Sequence, residues 1–147
     1  MEFESVNALK KFINNSMDKS MDAVGKKLDD DLRSAIMIEY YAQYVPIYYK
    51  NDWMLRDEFH NYHVNGNTIT VQMEGKGYIY PAKENTFNYD WANADDVIYY
   101  SSQGYHGVKE KSPRTGGRYF TRFEGEALEN VQKYMVSELR EKGIDIE

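Results

Sequence analysis

SVNALKKFINNSMDKSMDAVGKKLDDDLRSAIMIEYYAQYVP, residues 5–46, carries apolar side chains at Val6, Leu9, Ile13, Met17, Met21, Val24, Leu28, Leu32, Ala35 and Ile36. Recurrence every three or four residues places them along one side of an α-helix, so the stretch predicts helix over about 5–44. The stripe keeps phase through Asn14-Asn15-Ser16, where two readings are open: one uninterrupted helix, or a short helix meeting a longer one. A break is preferred, because Asn15 can cap a new helix with Asp18 three residues on, and an unbroken helix far exceeds the usual ~11–12 residues. Asp29, Asp30, Asp31 and Arg33 are assigned to the wet face. Pro46 ends the helix, since the residue before proline is disfavoured in helical geometry.

Beyond Pro46 the periodicity changes. Tyr62-His63-Val64 and Asn67-Thr68-Ile69-Thr70-Val71 flank Asn65-Gly66, a strong hairpin signal because a type I′ turn needs positive φ at both central residues. Gly75-Lys76-Gly77 marks a second turn before Tyr78-Ile79-Tyr80, closed by Pro81, and Asp96-Val97-Ile98-Tyr99-Tyr100 reads as a further strand. A small antiparallel sheet of about four strands is therefore expected over 60–100. Pro113, Thr115, Gly116 and Gly117 make 107–118 an exposed loop, followed by an aromatic strand-like segment. Ala127, Leu128, Val131, Tyr134, Met135 and Leu139 share one face of a closing helix over 124–142, with Gly143 suited to the position after its cap. The expectation is a single α+β domain over 1–147: a long N-terminal amphipathic helix, the sheet, and a C-terminal helix packed with them.

Composition narrows function. The chain has 147 residues with no Cys, which removes thiol nucleophiles, disulfide frameworks and Cys-based zinc sites. Eighteen Lys and Arg against 24 Asp and Glu leave a net charge of −6, against wholesale or sequence-specific nucleic-acid binding. No apolar run approaches a ~20-residue membrane span, and the opening Met1-Glu2-Phe3-Glu4 is acidic where a signal peptide is basic. The expected setting is a reducing cytoplasm, or a particle assembled there.

No catalytic, cofactor or metal site is expected. His60 and His63 are the closest histidine pair, but a spacing of three points them to opposite faces of a strand. The carboxylate groups Asp29 to Asp31, Asp57-Glu58 and Asp95-Asp96 read as solvated faces and caps, since a catalytic carboxylate needs a desolvated environment. No nucleophile elbow, Walker loop or dinucleotide fingerprint is present.

Tyrosine is in excess, 14 in all, with Tyr40, Tyr41, Tyr44, Tyr48, Tyr49, Tyr62, Tyr99, Tyr100 and Trp53 crowding the middle of the chain. Such rings fit either a core built from aromatics or an interface, where tyrosine is enriched. Between Lys109 and Arg122 the chain carries Lys109, Lys111, Arg114, Arg118 and Arg122 against Glu110, a local balance of +4 on an acidic body. A basic arm of this kind fits either a solvated loop or contact with an acidic neighbour. The residues assigned to a partner interface are Tyr48, Tyr49, Trp53, Tyr99, Tyr100, Lys109, Lys111, Arg114, Arg118 and Arg122.

The order of features resembles the tail-completion, or minor tail-component, proteins of long-tailed bacteriophages. Leu9-Lys10-Lys11-Phe12-Ile13 and the stripe up to Pro46 are similar to that family's opening helices, and Pro46-Ile47 with Leu55-Arg56 to the motif after them, although Tyr48 to Met54 lacks its Thr-Gly. Val97 to Tyr100, Gly116-Gly117, Arg118-Tyr119-Phe120 and Glu124 to Lys142 look like its later strand, loop, Arg-x-Phe segment and closing helix, with Tyr119 where the family has proline. The resemblance implies a non-enzymatic virion protein of the neck, assembled in the bacterial host cytoplasm. It also implies partners: copies of itself in a ring, commonly a homohexamer, and other neck and tail proteins, with no membrane. The alternative is a small binding module whose tyrosine-rich face holds carbohydrate or peptide.

Overall fold

The computed structural model describes residues 2–43, 53–77, 79–81, 91–103 and 118–146. Helix α1 spans Val6–Ile36, and the Ser5 hydroxyl caps it by accepting the Ala8 amide at 3.2 Å. The expected break at Asn15 does not occur. Asn costs only a few tenths of a kcal/mol more than a good helix former, and the stripe stays in phase through it, so the helix continues. A π-helical turn, Met37–Tyr41, follows, and the rest of the stretch expected to be helical, at Tyr44, lies outside the described residues.

Two short 3-10 turns, Trp53–Leu55 and Asp57–Phe59, lead into β1, His60–Asn65, which pairs antiparallel with β2, Thr68–Met73. The register runs from His60 opposite Met73 to Asn65 opposite Thr68. The loop residues are thus Gly66 and Asn67, one position later than Asn65-Gly66. Only Gly66, at φ 57°, lies in the left-handed region, the φ requirement of a type II′ turn.

Strands β3, Ile79–Pro81, and β4, Trp91–Asn93, form a second antiparallel pair separate from the first. The single sheet of about four strands over 60–100 is therefore corrected. The described residues hold a two-stranded β1–β2 sheet and this short pair, because the expected last strand is helix α2, Ala94–Ser102. Asn93 caps α2 by accepting the Asp95 amide at 2.9 Å, and Asp95 and Asp96 sit in the first turn, where the helix dipole favours acids. Ala94, Ile98 and Ser101 then recur on one buried face. These helix signals outweigh the β-propensity of Val97-Ile98-Tyr99-Tyr100.

Helix α3 covers Tyr119–Glu141, opening five residues earlier than 124, so Tyr119-Phe120 is helix and not strand. Its end is a Schellman motif: Gly143, at φ 77°, donates to the Arg140 carbonyl and Ile144 to the Leu139 carbonyl, both at 2.9 Å.

α1 and α3 pack antiparallel, as their polar pairs show. Glu39 meets Arg122 at 3.0 Å, Asp31 accepts from Asn130 at 2.9 Å and Tyr134 at 3.0 Å, and Lys27 meets Glu138 at 2.8 Å. The hairpin lies on another side of α1, where Gly25 admits the Tyr62 ring. A Cβ at Gly25 would stand 2.5 Å from Tyr62 Cδ2. The core joins Leu32, Ala35 and Ile36 of α1 to Trp53, Met54, Phe59, Ala94, Ile98 and Tyr119.

Candidate functional site

The apolar stripe of α1 divides in two. Val24, Leu28, Leu32, Ala35 and Ile36 are buried, whereas Val6, Leu9, Ile13 and Met17 are exposed, Val6 by 67%. The cause is geometric, since α3 runs back along α1 and ends at Glu141, shortly after Glu138 meets Lys27. The turns of α1 before about Val24 extend past the end of α3, and on them Ser16 and Ser20 are buried whereas Val6, Leu9, Ile13 and Met17 are not. The same stripe that makes the core on one half makes a bare ridge on the other.

Next to the ridge lies a cleft of about 250 Å3 between α1, β2 and α3, lined by Met21, Leu28, Ile69, Val71, Phe123 and Ala127. At 80% exposure, Leu128 is the most open large apolar side chain among the described residues and follows Ala127 on α3.

A second exposed patch sits on α2. Tyr99 and Tyr100 are 62% and 55% exposed, and their rings meet edge to face at 5.3 Å. The helix beneath them is anchored through Tyr119, whose buried hydroxyl donates to the Ile98 carbonyl at 2.8 Å and lies 2.9 Å from Ser101 Oγ. Burial pushes the Tyr119 phenol up to about 12, with the Ser101 hydrogen bond acting in the opposite direction. Asp95 holds the other end of α2 by accepting the Gly75 amide, and no side chain fits at Gly75, where a Cβ would lie 2.5 Å from the Asp95 nitrogen.

The remaining interface residues expected from sequence separate. Trp53 is corrected to the core: it is 3% exposed and packs edge-on against Phe59 at 5.1 Å. Arg118 is exposed at the cap position of α3, without a side-chain capping bond. Arg122 is half-buried and ties α3 to the π-helical turn through Glu39 at 3.0 Å, with Glu126 at 3.3 Å. Tyr48, Tyr49, Lys109, Lys111 and Arg114 lie outside the described residues, as does most of the expected 107–118 loop.

One polar cluster escapes the sequence reading. Asp29, assigned there to the wet face, is buried, and its Oδ1 lies 3.1 Å from His60 Nδ1 while its Oδ2 accepts from Arg33 Nε and Nη2 at 3.1 and 2.9 Å. His60 Nε2 lies 2.7 Å from the Met54 carbonyl, and Arg33 Nη1 reaches the Leu55 carbonyl and Asp57, each at 2.7 Å. Burial lowers the Arg33 pKa, but Asp29 and Asp57 outweigh it and hold the guanidinium above its ordinary value. An aspartate behind a histidine recurs in catalytic triads, where the other ring nitrogen meets a nucleophile. Here that nitrogen meets a backbone carbonyl and the His60 side chain is wholly buried, so the cluster clasps 53–60 to α1. The signal was in the helical phase: Asp29 shares a side with Gly25, Leu32 and Ile36, the side the hairpin covers. His63, by contrast, lies within 3.1 Å of Asn61 Nδ2 at an exposed position.

Among the described residues, no group of three or more His, Asp or Glu is placed to hold a metal ion, and no helix is long and apolar enough to cross a membrane. What remains, among the described residues, is a three-helix α+β scaffold presenting an apolar ridge, an apolar cleft and an exposed tyrosine pair. The chain belongs to the YomN family, which matches it over residues 5–142. That family is phage-derived, of the Bacillus prophage type, and the protein is accordingly phage-related. No curated protein and no solved structure matches the chain.

Proposed function

We propose that this protein is a structural subunit of a bacteriophage particle, acting at the neck or tail junction as tail-completion proteins do. Its work is assembly: copies close into a ring, sixfold in the proteins it resembles, and the ring docks on other neck and tail components. It catalyses no reaction. Its final location is the virion, built in the cytoplasm of the bacterial host.

The observation that carries this reading is the bare ridge Val6, Leu9, Ile13 and Met17 in a chain of a phage-derived family. A contiguous apolar surface left in water is unfavourable, and a protein partner is the usual way to cover it. The exposed Tyr99 and Tyr100 add rigid contact area of the kind interfaces favour. That tyrosine pair also favours a second reading, a binding module that stacks a sugar or peptide on α2.

Mass spectrometry of gradient-purified virions tests the first reading, together with a nonsense mutant of the gene. The expected result is the chain present at a fixed copy number per particle, with unjoined heads and tails in the mutant. Absence of the chain from infectious particles overturns it. Specific glycan or peptide binding lost in Tyr99→Ala, in a chain absent from virions, would establish the second.

A further inference from the structure

We infer that the ridge on α1 of one copy seats in the α1–β2–α3 cleft of the next copy, a contact between unlike surfaces of identical chains. The inference deepens the assembly reading and rests on it for its biological setting, since it names which surfaces of the subunit meet.

Ridge and cleft are both apolar, and they cannot meet within one chain. Met17, the last ridge residue, and Met21, on the cleft floor, are consecutive turns of one continuous helix. Val6 lies some fifteen residues from Met21, about 22 Å further along the same axis. Only another copy can bring the ridge to the cleft.

The cleft suits side chains better than a small ligand. Its volume of about 250 Å3 falls below the ~300–1,000 Å3 of typical ligand pockets, and Asn67 is the only polar residue among its lining. An amphipathic helix read through positions i, i+3, i+7 and i+11, here Val6, Leu9, Ile13 and Met17, is the usual occupant of an apolar groove.

Charge selects the pairing. The ridge segment Val6 to Met17 contains Lys10 and Lys11 and no carboxylate, whereas Glu124 to Val131 on the α3 wall contains Glu124, Glu126 and Glu129 and no base. Glu126 and Glu129 also pair with Arg122 and Lys133 of their own helix, and Glu124 is exposed beside Phe123 of the lining. Ridge against cleft brings opposite signs together. Ridge against ridge would bring four lysines together, so a symmetric pairing of two ridges is disfavoured. A contact between unlike surfaces leaves a cleft free at one end of a pair and a ridge free at the other, and it propagates until the rotation closes a ring.

The chain has no Cys, which makes the test direct. Full-length Ile13→Cys and Ala127→Cys variants are mixed under mild oxidation and resolved by non-reducing electrophoresis and peptide mass spectrometry. The expected product is a disulfide joining position 13 of one copy to position 127 of another. Adding Lys10→Glu and Lys11→Glu should cut its yield roughly threefold or more, as loss of exposed ion pairs would. Dimers of Ile13→Cys alone would overturn the inference in favour of ridge on ridge, and absence of any cross-link would also overturn it. A cross-link in a chain absent from virions would leave the contact standing and remove the neck reading. Virion incorporation without the cross-link would do the reverse.

Discussion

Replacing Tyr119 by Phe removes one buried hydroxyl while keeping the ring. At neutral pH the variant loses a hydrogen bond of 2.8 Å to the Ile98 carbonyl, worth about 1 kcal/mol net. That carbonyl keeps the Ser101 hydroxyl at 3.1 Å, so it is not left unpaired. A loss of that size lowers Tm by about 2–4 °C in a chain of this length. At alkaline pH the order reverses. The phenol ionises near 10.0 when unfolded and near 12 in the fold, chiefly because burial disfavours the phenolate. Between those values the unfolded chain releases a proton that the folded chain retains, so stability falls as pH rises. Two pH units correspond to about 2.7 kcal/mol, and the first ~1 kcal/mol is lost by about pH 10.7, where the two proteins should be equally stable. Near pH 12 the Phe variant should be the more stable by about 1 kcal/mol. All other tyrosines are common to both proteins and cancel in the difference. Urea unfolding followed by far-UV circular dichroism from neutral to alkaline pH measures it. A difference that stays constant with pH would refute the buried, neutral phenol, and a neutral-pH loss above ~3 kcal/mol would mean that the ring itself had moved.

Trp53→Ala should cost about 3–5 kcal/mol, while Tyr99→Ala should change the isolated subunit by less than ~0.5 kcal/mol. Equal costs in urea titrations would contradict the placement of one ring in the core and the other on the surface. Asp29→Asn leaves His60 and Arg33 without their shared carboxylate and should cost about 3 kcal/mol, as removal of one member of a buried ion cluster does. A thermal melt unchanged within ~1 °C would show that the clasp holds nothing. Hydrogen bonds from Lys27 and Lys142 hold the Glu138 carboxyl below the usual range, so their stabilisation is present above that range and lost as pH falls through the lowered pKa. Lys27→Met should therefore flatten the acid limb of a urea-midpoint profile, and an identical limb in both proteins would count against the pairing.

The long helix, the hairpin and the closing helix were legible because each rests on a pattern that local physics enforces: the 3.6-residue stripe, a glycine able to take positive φ, and the αL residue after Lys142. The errors came where local signals compete. At Asn15 a capping residue sits inside a stripe in phase, and burial of Val24 to Ile36 outweighs a small propensity cost. At Asp96 to Tyr100 β-branched and aromatic residues follow a capped, acidic first turn, and the cap prevails. At Asp29 the residue type suggested water. The residue's helical phase pointed to the hairpin, whose position on α1 no local pattern specifies.

The candidate site was only half legible, for a reason that also explains why it exists. Periodicity reports which side of a helix is apolar, and it is silent on what covers that side. Coverage is a matter of relative length and offset: α1 has 31 residues and α3 has 23, about 46 Å against about 34 Å. With Arg122 opposite Glu39 and Glu138 opposite Lys27, α3 overhangs the C-terminal end of α1 and ends opposite about Val24, so roughly the first eighteen residues of α1, about 27 Å, extend past it. That remainder holds Val6, Leu9, Ile13 and Met17. A monomer selected only for its own stability gains nothing from apolar side chains left in water there, since polar ones would keep the helix and its solubility. Their presence is better explained by a partner that supplies the missing second helix face.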